Sequence, residues 1–310
     1  MVLLGVGMAA AFVLVYRTQV EINRRFGAER AGEDALYVRS PELLRRLSLG
    51  YESLLADIYW IRAVQYYGGR VKHLEGQTYQ LLDPMLSLAT SLDPQMTAVY
   101  RFGVMFLSEG RPVGAGDPQA GIRLMDKGIR SNPGLWRLHF DKGFVYLWHL
   151  RDAKAAGACF MEAFRQPGAP KWLESLAAYT LSEGGELETA RYLWNRELEE
   201  AENDAVRENA RNHLNSLRIE EDRWRLEFLA SKYQEKTGRP VAHLNQLVAA
   251  GWLRALPRDP SGVPYEYEPA LKAVYPSRGS KVTYFPLKGT EARQAYSKRM
   301  EEEWNAASKK

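Results

Sequence analysis

The chain holds a single cysteine, Cys159, so no intramolecular disulfide can brace it. Lying between Ala158 and Phe160 in a helical pattern, this thiol reads as a small buried hydrophobe rather than a reactive group. The histidines are equally unhelpful to a metal. His73, His139, His149, His213 and His243 include no i, i+4 pair and no Glu-x-x-His. A Gly-x-Ser-x-Gly elbow, a phosphate loop and a dinucleotide fingerprint are missing, and Gly114-Ala-Gly116 sits in a turn with no strand before it. Excess charge is scarce too. The 42 basic and 38 acidic residues interleave and leave +4, without the concentrated basic face of a nucleic-acid binder. The expectation is therefore no cofactor, no metal, no nucleic-acid partner and no enzymatic activity.

Long apolar runs are limited to one. Met1 to Tyr16 carries no ionisable side chain but the Tyr16 phenol, and Arg17, Arg24 and Arg25 end it. As a helix it reaches ~24 Å at ~1.5 Å per residue, short of the ~30 Å hydrocarbon core. Inclusion of Thr18 and Val20, a thinner bilayer and snorkelling of Arg17 cover the deficit. The expectation is a transmembrane anchor over 1–20 and a linker over 21–39. A cleavable signal peptide (Ala9-Ala10-Ala11 are small, but the positive n-region is absent) and a buried helix are the alternatives. The flanking arginines favour a cytoplasmic body. One-pass N-terminal anchors commonly export the chain beyond them, however, and the body is expected to be extracytoplasmic.

What is abundant is helix with small residues in phase. Ala156, Phe160 and Ala163 form an Ala-x3-Phe-x2-Ala helix, preceded by an aromatic helix holding Gly143 and Tyr146. Another such pair has Ala178, then Ala190 and Trp194. Upstream pairs have Gly103 and Phe106, then Gly121, Met125, Gly128 and Pro133, and Ala63 and Tyr66, then Leu82, Leu86, Ala89 and Pro94. A period of about 34 residues, interrupted by the turn-rich Gly110 to Pro118, accounts for this spacing. The pattern resembles the tetratricopeptide repeat. That resemblance implies an all-α fold, a right-handed α-solenoid of helix pairs over 40–202. Leu47 to Gly68 is also similar to an opening found in bacterial tetratricopeptide-type membrane proteins, which implies a bacterial inner-membrane protein with a periplasmic body. Ser40-Pro41 reads as a helix start. Pro84 should kink its helix or restart it with Asp83 as N-cap.

Residues 203–237 read as one long capping helix with an apolar stripe of Leu214, Leu217, Trp224, Phe228 and Leu229; Arg207, Glu208 and Arg211 with the preceding Glu202 read as solvated surface. A small α+β module spans 238–310. It has a short helix over 241–250, a type I turn on Asp259, Pro260 and Gly262, and strands at Tyr265–Tyr267 and Val282–Phe285. The turn sequence is similar to the end of secretion-system major pseudopilins, though ordinary turn chemistry reproduces it. The tail from Thr290 reads as a charged helix.

In tetratricopeptide stacks the first helix of each pair lines a concave groove. The resemblance places Asp57, Trp60, Val64, Tyr67, Tyr100, Val104, Leu107, Arg137, Phe140, Phe144, Trp148, Trp172 and Tyr179 there, an aromatic surface with an arginine. The implied function is a membrane-tethered scaffold or adaptor that captures a protein or peptide in a bacterial envelope complex. An obligate subunit of a pilus, secretion or electron-transfer assembly is the alternative. An envelope hydrolase with a scattered site, such as one using Asp57, is a third.

Overall fold

The computed structural model describes residues 40–71 and 78–307, together with 13, 16–18, 20 and 21. The chain is mostly helical, with one two-stranded sheet among the described residues, and divides into two compact units, 1–133 and 134–310.

In the first unit, α1 (Pro41–Leu47) starts as its sequence dictates. The Ser40 side chain accepts from the Leu43 amide, and Pro41 fills a first-turn position where no backbone donor is needed. Four more helices follow: α2 (Glu52–Val71), α3 (Leu82–Leu92), α4 (Thr97–Ser108) and α5 (Pro118–Ser131). Helix α2 lies against α3, and α4 against α5. The small residues sit where helices cross. A Cβ on Gly103 would meet Leu86 and Leu124, and one on Gly128 would meet the Tyr100 ring 2.8 Å away. Helix α3 departs from expectation: it begins at Leu82 without a side-chain cap, and Asp83 lies inside its first turn. Pro84 is accommodated there because the first four amides of a helix have no intrahelical acceptor.

The second unit repeats this logic in α6 (Trp136–Phe144), α7 (Ala153–Phe164), α8 (Trp172–Glu183) and α9 (Leu187–Glu199), each packed on the next. Helix α6 runs into a π-helical turn, Val145–Leu150. Gly143 faces Phe160 closely enough that a Cβ would lie 2.5 Å from the ring, and Gly157 faces Leu181. The long helix α10 (Asp204–Thr237) is capped by Asn203, whose side chain accepts from the Val206 amide, and stopped by Gly238 at φ 71°. Its Leu217 and Trp224 share a core with Trp194 of α9 and with Ala292 and Tyr296 of the tail helix α12 (Thr290–Ala307).

The C-terminal module corrects two expectations. Its short helix, α11, covers only Asn245–Ala249. Strand β1 (Glu266–Glu268) pairs antiparallel with β2 (Ala273–Tyr275), Tyr267 opposite Val274, and not with residues 282–285. The reason is connection length. A turn over Pro269–Lys272 returns the chain at once, whereas Val282 and Tyr284 are drawn off to pack against α10 and its neighbours. The Asp259 turn forms as expected, with the Gly262 amide donating to the Asp259 carbonyl at 2.8 Å.

The single-pass membrane assignment also needs correction. Among the described residues no helix is long and apolar enough to cross a membrane. The longest apolar candidate, α2, carries Glu52, Asp57, Arg62 and Arg70 along its 20 residues, too much charge for a hydrocarbon core. Most of the expected anchor and linker, 1–39, lies outside the described residues.

Candidate functional site

The groove residues inferred from the repeats are divided between the two units. In the first unit Asp57 is exposed on α2, and Trp60 and Tyr67 are half-buried. Trp60 stacks on Phe106 and Tyr67 lies over the same ring with centroids 4.0 Å apart. Tyr100 has no exposed surface, and Val104 and Leu107 are buried with it. The ring of Tyr100 fills the space left by Gly128, so the α4–α5 crossing has claimed it. Val64 is exposed.

The second unit brings its residues together. Phe140 meets Phe144, Phe160 and Trp172 at centroid distances of 4.8, 5.6 and 5.6 Å, and Trp136 meets Trp172 edge-on at 6.4 Å. Arg137 is exposed, its guanidinium 4.5 Å from the Trp136 ring. Trp172 leaves 50% of its surface open although two aromatics fix its edge, and Trp148, on the π-helical turn, leaves 58%. Tyr179 is half-buried and faces His213; His213 itself lies flat on Trp194 with centroids 4.1 Å apart. Burial among these rings depresses the His213 pKa and keeps the imidazole neutral.

Beside Trp172 opens a cavity of about 450 Å³ that the repeat pattern did not reveal. Phe164 and Trp172 supply aromatic wall, while Glu174, Glu197, Glu200 and Glu202 supply carboxylates. Glu174 is nearly fully buried, and its pKa is raised because desolvation outweighs the Arg196 guanidinium 2.5 Å away. Glu197 accepts from Ser175 Oγ at 2.5 Å through one oxygen, and its other oxygen is buried without a hydrogen-bond partner among the described residues. Glu202 pairs with Lys171, both of them lining the cavity. A signal for this site exists in the sequence: Glu197, Glu199 and Glu200 crowd the end of α9. There the helix dipole is negative and carboxylates are disfavoured.

A second polar cluster lies in the first unit. Lys127 of α5 is half-buried, and its Nζ donates to Ser87 O, Thr90 Oγ1 and Ser91 Oγ at 2.7–2.9 Å. Burial, reinforced by Arg45 and Arg130, lowers its pKa to about 8. Between pH 8 and the ordinary 10.5 the unfolded chain therefore binds the extra proton, so this group's contribution makes stability rise with pH across that window. Competitive amine labelling followed by mass spectrometry should show Lys127 titrating near 8. A midpoint near 10.5 would mean that its amine is solvated.

Among the described residues no group of three or more His, Cys, Asp or Glu side chains could hold a metal ion. No family model, no curated protein and no solved structure matches this chain.

Proposed function

We propose that the chain is a protein-binding module of tetratricopeptide-like helix pairs, belonging to a right-handed α-solenoid, that captures a peptide segment on the aromatic face of its second unit. The observation that carries this reading is Trp172, held half-exposed by edge contacts from Trp136 and Phe140. A large side chain fixed in place before binding loses little entropy on contact, and tryptophan with a neighbouring arginine is the composition of binding hot spots. Arg137, beside the Trp136 ring, and the open cavity extend the surface around it.

A random-peptide display selection against the full chain tests the proposal. Convergent sequences should emerge that bind the Arg137→Glu, Trp172→Ala variant about 30-fold more weakly, the ~2 kcal/mol of a hot-spot aromatic. Sequences that bind both proteins equally would remove this face from the reading.

A permanent structural subunit is the second reading. It is favoured by α2, which exposes Leu54, Ile58 and Ile61 at i, i+4 and i+7. Such a subunit, purified alone, would self-associate in size-exclusion chromatography, and replacing these three residues with Ser, Gln and Gln would make it monodisperse.

A further inference from the structure

We infer that the cavity beside Trp172 is a pocket for an arginine side chain of the captured peptide; this rests on the peptide-binding reading above. Three observations converge. First, the cavity is acidic in a chain whose net charge is +4. Four glutamates line it against one lysine, Lys171, so its local field opposes that of the whole molecule. Second, the carboxylates stand where a helix least tolerates them. Glu197 and Glu200 lie at the carboxyl end of α9, whose unpaired carbonyls already make that end negative. Arg196 is engaged with Glu174 and Lys171 with Glu202, and both also attract Glu200, whereas Glu197 accepts from the neutral Ser175 hydroxyl. A cation entering beside Glu197 would meet a carboxylate that no guanidinium or ammonium pairs among the described residues. Third, the walls are aromatic. Trp172 presents a half-open indole, and Phe164 already has the Arg196 guanidinium 5.4 Å from its ring. This is the environment in which a planar, weakly hydrated guanidinium is preferred over a strongly hydrated ammonium. The volume, about 450 Å³, exceeds what one such side chain needs and leaves room for its flanking backbone.

Fluorescence anisotropy with labelled hexa-arginine, hexalysine and hexaglutamate on the full chain tests the assignment. Hexa-arginine should bind saturably at one equivalent, more tightly than hexalysine, while hexaglutamate should not bind. The Glu197→Gln, Glu200→Gln variant should weaken hexa-arginine at least tenfold. Glu208→Gln, on the exposed part of α10 and paired with Arg211, should leave it unchanged. Equal binding to the cavity variant and to Glu208→Gln would overturn the arginine pocket. The peptide-binding reading would still stand if display-selected sequences kept their dependence on Trp172. Loss of that dependence together with saturable hexa-arginine binding would instead leave a cation site without a peptide groove, and the pocket's assignment to a captured peptide would fall.

Discussion

Replacing Glu220 with alanine should cost about 3–5 kcal/mol of stability, the cost of removing one partner from a buried ion pair. Glu220 is 2% exposed on α10 and serves donors from two directions. The Arg223 guanidinium lies 3.2 Å away on the same helix, the Tyr284 hydroxyl donates from the C-terminal module, and the Leu287 amide donates at 3.3 Å. Neighbouring groups on α10 work in the same way. Glu227 accepts from the Val274 amide and from Arg293, Ser216 Oγ from the Phe285 amide, and Asp222 from the Tyr265 hydroxyl. The irregular stretch 276–289 has few backbone partners of its own, so the long helix supplies acceptors for donors that would otherwise be buried unpaired. Urea unfolding followed by tryptophan fluorescence measures the loss. A cost below about 1 kcal/mol, the scale of an exposed pair, would mean that the module stays attached without this carboxylate.

The same residue makes a pH prediction. Burial raises the Glu220 pKa above its ordinary 4.5 in spite of the Tyr284, Arg223 and Leu287 contacts. The folded chain therefore holds this proton more readily than the unfolded one. Its contribution is fully present below about 4.5 and is lost as pH rises through the folded value. Glu220→Gln keeps the shape but cannot titrate, so that part of the stability slope should vanish. An identical slope in wild type and variant would assign the effect to other carboxylates.

Phe160→Ala should cost a comparable ~3–5 kcal/mol, because a fully buried aromatic is lost and its neighbours cannot close the void. The ring is gripped by Phe140, Phe144 and the bare backbone of Gly143. Gly143→Ala alone should cost about 1–3 kcal/mol from overpacking, partly offset by the better helix propensity of alanine. In the double variant the new methyl occupies space the ring has vacated, so the two losses should sum to more than the measured one. Strict additivity would place the alanine methyl away from the ring and break the account of this crossing.

Much of the helical scaffold could be read locally. Ser40 with Pro41, Asn203 with Gly238, and Asp259 with Gly262 mark ends and turns because their chemistry acts within a few residues. Gly103, Gly128 and Gly143 mark crossings because only a missing side chain lets a neighbour approach so closely. The candidate site was legible only in part. Trp172, Arg137 and Phe140 emerge from helical phase, yet phase alone could not separate them from Tyr100, since an aromatic at helical spacing suits a core and a surface equally well.

The amino-acid order by itself thus set many helix ends and crossings, though not the start of α3 or the extent of α11, since caps, turns and small residues work through neighbours in the chain. Tertiary structure alone decided that β1 pairs with Ala273–Tyr275, that Tyr100 is interior, that Glu220 and Glu227 serve as buried acceptors, and that glutamates from α8, the end of α9 and the turn after it line one cavity. Most of these depend on groups brought together from separate elements of the chain. Desolvation and hydrogen bonding act on that proximity, and it has no local signature in sequence.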